Sequence, residues 1–382
     1  MTDAADRFVD LACLTYGDDE SRARRVEAMQ LLAATPALVD ASVHAAAAAG
    51  DVDALRGHFE RDAASVTPPG TSRGWVPLLA LCFSRVAQRD ALACLDVLLA
   101  SGADPNAYVM IEVNRFTALT GVMGEGEAGP LEQPPHPAAR AMAERLLDAG
   151  ADPNEAQGVY NTHFLPSNAW LELLLARGLS AASELDFLLG QAAVQGFVDR
   201  VRLLLAHGAA AEGRNRYNRR THLENALLEG HTELADLLRG AGARAPALSD
   251  SDRFRVAVLA NDGVEARRIL AASPPVSAEP DALLAAARHG RLDALELGLA
   301  LGLPIDGHDR DGLTALHHAA RSGHIAVVRA LVAHGASLVV RDRLYDGTAL
   351  GHARHFAERW PRPDGAAIVA FLENAASSAS GI

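Results

Sequence analysis

Apolar positions along this chain fall at helical spacing, in short bursts broken by glycine. Phe8, Val9, Leu11 and Leu14 predict a helix over 3–14, and Val26, Met29 and Leu32 predict a second over 21–32, with their apolar sides turned inward. Gly17-Asp18-Asp19 separates the two, and Ser21 is placed to cap the second. From about residue 41 a helix-ending Gly-Ala signal recurs, sometimes degraded. It falls near Ala63, at Gly102-Ala103, Gly150-Ala151, Gly178-Leu179, Gly208-Ala209 and Gly242-Ala243, near Ser273, and at Gly302-Leu303 and Gly335-Ala336. The intervals run from roughly 28 to 48 residues, which reads as two insertions and one shortened stretch on a common period. Nine to ten similar helical units are expected, each too small to bury its apolar faces alone.

The clearest unit is Asp309 to Ser337. Asp311-Gly312 suits a hairpin tip, where glycine tolerates positive φ. Thr314 is placed to cap a first helix, whose Leu316, Ala319 and Ala320 make a thin apolar face that lets helices approach closely. Gly323 breaks the chain, Val327, Val328 and Leu331 line a second helix, and Gly335 ends it. The segments 98–106 and 146–154 are near-identical second-helix endings, and Thr117-Ala118-Leu119, Thr221-His222-Leu223 and Thr348-Ala349-Leu350 repeat the helix start.

Residues 309–337 resemble one ankyrin repeat almost from end to end, with Ala315 and Val332 the departures from its pattern. Resemblance is good over 95–106 and 143–154, weaker elsewhere, and does not cover 1–40. It implies an all-α ankyrin-repeat solenoid of degenerate, bacterial-type repeats, with short hairpin fingers and helical caps. Residues 1–40 would form an N-terminal cap over the first repeat, 41–376 the array, and 377–382 a flexible tail. In that family the first-helix histidine hydrogen-bonds neighbouring backbone, so His317 is expected to be structural.

Composition narrows the chemistry. Hydrophobic residues make up 49% of the chain but aromatics only 5%, so the core must be built from Ala, Leu and Val. The net charge is −13 and there is no lysine: all 35 basic residues are arginine, a bias that a GC-rich genome produces. An acidic chain is a poor partner for nucleic acid or an anionic membrane. Cys13, Cys82 and Cys94 have no zinc-ligand spacing, and no P-loop, dinucleotide fingerprint, G-x-S-x-G or H-E-x-x-H occurs, so neither metal nor cofactor is expected. Without a signal sequence or spanning segment, a cytoplasmic monomer is the expectation.

Two stretches depart from the repeat. The first is the Pro- and Gly-rich insertion 124–137, beside a lengthened turn at 84–90; two such turns would build one wall. With residues 158–164, which replace a normal repeat opening, the wall would gather Trp75, Glu125, Glu127, His136, Tyr160, Asn161 and His163. Such carboxylates and imidazoles are able to do acid–base work or hold a metal. The blander expectation is solvated glutamates, a histidine wedged between prolines and a variant helix-start residue. The second stretch is the basic tip 213–220, with Arg214, Arg216 and Tyr217, suited to an anionic group or simply solvated.

The resemblance also implies contact positions on the fingers: Tyr108, Tyr217, His308, Arg310, Arg341, Arg343 and Tyr345. The function expected is a non-catalytic protein-interaction module with a partner that the sequence does not name. The alternative is a small-molecule-binding protein or enzyme using the wall.

Overall fold

The computed structural model describes residues 2–17, 22–67, 70 and 73–379. Among them the regular structure is almost wholly helical, and its one sheet is a two-stranded hairpin. From Val43 onward the α-helices fall into ten successive pairs. Two compact units, 1–184 and 185–382, divide within the helix Ala182–Gln195.

In the first unit the first helices of successive pairs are Val43–Ala49, Pro77–Phe83, Ala118–Met123 and Ala156–Asn161, each packed against the next. Val43–Ala49, Pro77–Phe83 and Ala118–Met123 are buried at every position, as sequences apolar on all sides require when sandwiched between neighbours. The second helices Val52–Arg61, Ala91–Ala100 and Ala139–Asp148 form a parallel row. Arg145 to Asp96 at 2.8 Å, and Arg177 to Asp148 at 2.5 Å, pin neighbours along that exposed face, where each pair contributes little.

The second unit repeats the scheme with first helices His222–Leu228, Asp250–Leu259, Asp281–Arg288, Ala315–Ser322 and Ala349–Arg359. One continuous core runs from Phe254 through Leu283, Leu316 and Leu331 to Leu372. Thr117, Thr221 and Thr314 all act as N-caps of capping boxes. Gly323 sits at φ 84°, and a Cβ there would lie 2.9 Å from Cδ of Arg362, so both conformation and space demand glycine.

Three expectations are corrected. Val26 and Met29 are 53% and 49% exposed, and Leu32 is half-buried; helix Arg22–Ala34 buries Ala28 instead. Ser21 lies outside the described residues. Residues 158–161 are not an irregular opening but part of the helix Ala156–Asn161, which Glu155 caps. At the C-terminus, Ser377 and Ser378 belong to helix Gly365–Ala379, and 380–382 lie outside the described residues.

The N-terminal segment does more than cover one pair. Helix Thr2–Ala12 packs on Val43–Ala49, and the chain then runs alongside 83–85, where Leu14 N–H donates to Phe83 O at 2.9 Å and Arg85 N–H to Ala12 O at 2.7 Å. Tyr16 reaches further, donating to Thr120 O at 3.2 Å and packing on Phe116.

Candidate functional site

The two lengthened turns of the first unit meet. Arg85 donates from Nε to Pro134 O at 2.7 Å, from Nη1 to Cys82 O and Ser84 O, and from Nη2 to Gly121 O. His136 Nε2 lies 2.6 Å from Gln88 Oε1, and its Nδ1 accepts the Ala138 amide at 3.0 Å. Burial, then the Arg85 charge, pushes the His136 imidazole down to about 3, so it is neutral.

Loop 124–137 also meets the helix beyond it. Tyr160 donates to Glu127 Oε1 at 2.5 Å, and Asn161 Nδ2 to Gly124 O at 2.8 Å. Glu125, raised by burial, hydrogen-bonds Trp170. The loop also closes on itself, through Glu125 N–H to Gln133 O at 2.7 Å and Ala128 N–H to Gln133 Oε1 at 3.1 Å.

The gathered set is smaller than expected. Glu127, Tyr160 and Asn161 come together, with His163 edge-on to Tyr160 at 4.7 Å between ring centroids. His163 Nδ1 lies 2.5 Å from Tyr160 O, at the end of its own helix. His136 is bonded to the other turn, and Trp75 is buried, with its ring 5.1 Å from Phe83. No group of three His, Cys, Asp or Glu side chains among the described residues is arranged to hold a metal.

The fingers present a different kind of surface. Tyr108 is 51% exposed on the hairpin Tyr108–Ile111/Asn114–Thr117, with the Arg115 guanidinium 4.0 Å over its ring. In the second unit Arg214 donates to Arg219 O at 2.9 Å, Arg216 lies 3.9 Å over Phe187, and Tyr217 stands exposed. His308 and Arg310 are exposed, and Arg343 ties the last two fingers by donating to Arg310 O at 3.2 Å. Arg341 pairs with Asp346 at 3.2 Å, and Tyr345 is 78% exposed.

The order of finger, first helix, glycine turn and second helix recurs along the chain, and residues 256–342 match the family description of ankyrin repeats in three copies. The chain contains ankyrin repeats. It is 30% identical over 231 residues to ankyrin repeat protein nuc-2 of Neurospora crassa, a match covering 56% of this chain and 22% of that relative. The chain thus spans under a quarter of its relative's length.

The ankyrin histidine behaves as the resemblance implies. His317 Nδ1 accepts from Thr314, and Nε2 lies 3.2 Å from Gly347 O in the next finger. Asp342 is the buried base of that finger, accepting from the amides of Leu344, Tyr345 and Gly347 at 2.8 Å each and from His352 at 2.9 Å. Burial pushes its carboxyl up, but these bonds outweigh it and hold Asp342 well below the carboxylate range.

Further groups escape sequence reasoning. Glu155 accepts from Thr120 Oγ1 at 2.6 Å and the Gly158 amide at 2.7 Å, and burial raises it to about 7. Glu229 accepts from Arg255 at 2.7 Å, Arg288 at 3.0 Å and His289 at 2.8 Å. Burial pushes Glu229 up, yet His289 and the two arginines bring it to about 2. Leu344, 58% exposed beside Tyr345, is an apolar tip missed because a loop leucine carries no periodic signal.

Proposed function

We propose that this ankyrin array is a non-catalytic docking module that holds a protein partner on its finger tips. Ankyrin repeats generally mediate protein–protein contact, and the partner, a cytoplasmic setting and a monomeric state belong to the same proposal. The observation that carries it is the finger at 341–347. Leu344 and Tyr345 project into solvent while Asp342 fixes the turn beneath them, so apolar area is offered with little ordering cost on binding. Tyr108 and Tyr217 repeat the theme on other fingers. The three cysteines, free and buried, suit a reducing compartment.

The test compares proteins co-purified from lysate by the wild-type chain and by a Y217A/L344A/Y345A variant, with thermal midpoints measured on both. A partner lost from the variant at unchanged midpoint supports the proposal; the same set on both contradicts it.

One observation favours a second reading, a small-molecule site. A cleft of about 630 Å³ lies between the first-unit hairpin and the next finger, lined by Asn106, Arg115, Asn154, Glu155 and Gln157. A thermal shift with a metabolite panel that disappears in Glu155→Ala would support it.

A further inference from the structure

Several arginines on the second helices pair with carboxylates, whereas Arg321 on a first helix of the second unit and Arg362 on the turn after the last one do not. Arg288 and Arg321 occupy equivalent places in successive repeats, each two residues before a positive-φ glycine, Gly290 or Gly323. Helix Ala315–Ser322 packs directly against Asp281–Arg288 on one side and Ala349–Arg359 on the other. The Arg321 guanidinium rests 4.7 Å over the Phe356 ring. Among the described residues it makes no hydrogen bond or ion pair, and its nitrogens reach solvent. Arg362, exposed, runs over Gly323 and is likewise unpaired among the described residues. Arg288 shares the single Glu229 carboxylate with Arg255 and His289. Burial and the Arg288 and Arg362 charges depress Arg321, as expected of crowded like charges. Asp309, a carboxylate whose charge acts on Arg321, is occupied by His318 at 3.0 Å.

We propose that Arg288, Arg321 and Arg362 form the docking site for an extended acidic segment of a protein partner. This rests on the docking reading above and names the chemistry of the partner. A guanidinium parked on an aromatic ring, its N–H donors unspent, is pre-set to fork a carboxylate. Packed helices lie about 8–10 Å apart, and an extended polyproline II chain rises about 3.1 Å per residue with about three residues per turn, so carboxylates three residues apart share a face and match the Arg288–Arg321 step. A peptide fits better than nucleic acid. The cationic groups are few and set a helix step apart, which suits spaced carboxylates, while an unbroken run of phosphates would meet the chain's net −13 without enough cations to offset it.

The test uses the full chain and a labelled, proline-rich peptide of about 15 residues with glutamate at every third position. Binding is read by fluorescence anisotropy at two salt concentrations. Variants are R321E, R362E and the control R267E, which makes the same charge change at an exposed site on a second helix. Arg362 is exposed, so R362E tests the site even if R321E unfolds. Expected are binding that weakens with salt, a loss of about tenfold or more in R362E and R321E, and less than about twofold in R267E. No binding at low salt, or equal loss in R362E and R267E, overturns the proposal. A single-stranded oligonucleotide that displaces the peptide at equal charge also overturns it, in favour of phosphate. The finger variant of the preceding subsection reads docking independently, so a partner captured by a chain that ignores the peptide removes only this charge assignment.

Discussion

His136 is bolted to Gln88: Nε2 lies 2.6 Å from Oε1 while Nδ1 accepts the Ala138 amide. The Nδ1 contact requires the neutral ring, so this imidazole joins two turns instead of moving protons.

A pH dependence follows. His136 is held at about 3 in the folded chain, against 6.5 when unfolded. Between those values the unfolded chain binds the extra proton, so stability falls as pH drops below about 6.5. At pH 5 the loss from this site is about 2 kcal/mol relative to pH 7.5. Urea unfolding of wild type and His136→Gln at both pH values should show the variant losing less.

Glu155 works with the opposite sign. Its folded value of about 7 lies above the unfolded 4.5, so its protonated form stabilises at low pH, and that stability is lost as pH rises through 7. Gln mimics the protonated acid. Glu155→Gln should equal wild type near pH 4.5 and exceed it at pH 8 by on the order of 2–3 kcal/mol. A variant less stable at pH 8 would contradict the assignment.

Leu316 is 1% exposed between two neighbouring first helices, and Leu316→Ala opens a void there. The expected cost is roughly 2–5 kcal/mol in denaturant unfolding.

Glu229 neutralises Arg255 and Arg288 at 10% side-chain exposure. Glu229→Gln strands the buried Arg255 guanidinium and should cost about 3–5 kcal/mol at pH 7. The carboxylate is held at about 2, so wild type keeps this contribution above about 4.5 and loses it as pH falls through 2. The gap between the two proteins should therefore close in acid.

The helix pairs were legible because each repeat carries its own punctuation: Thr314 opens a helix, Gly323 turns it, Gly335 ends it. Local signals of that kind survive in one sequence. What was not legible depends on neighbours. Val26 and Met29 have the spacing of a buried face, yet no neighbour covers them fully, and the helix turns Ala28 inward. His136 looked available for chemistry because its partner Gln88 lies 48 residues away. Glu229 gave no signal, since its three cations come from two later repeats.

The central claim is that the fingers, and not the wall, are the working surface. Co-purification from lysate with the Y217A/L344A/Y345A variant, set against a Tyr160→Phe/Glu127→Gln variant of the wall, tests it most directly. The account predicts that the finger variant loses a partner that wild type and the wall variant both retain. A partner kept by the finger variant and lost from the wall variant would contradict it.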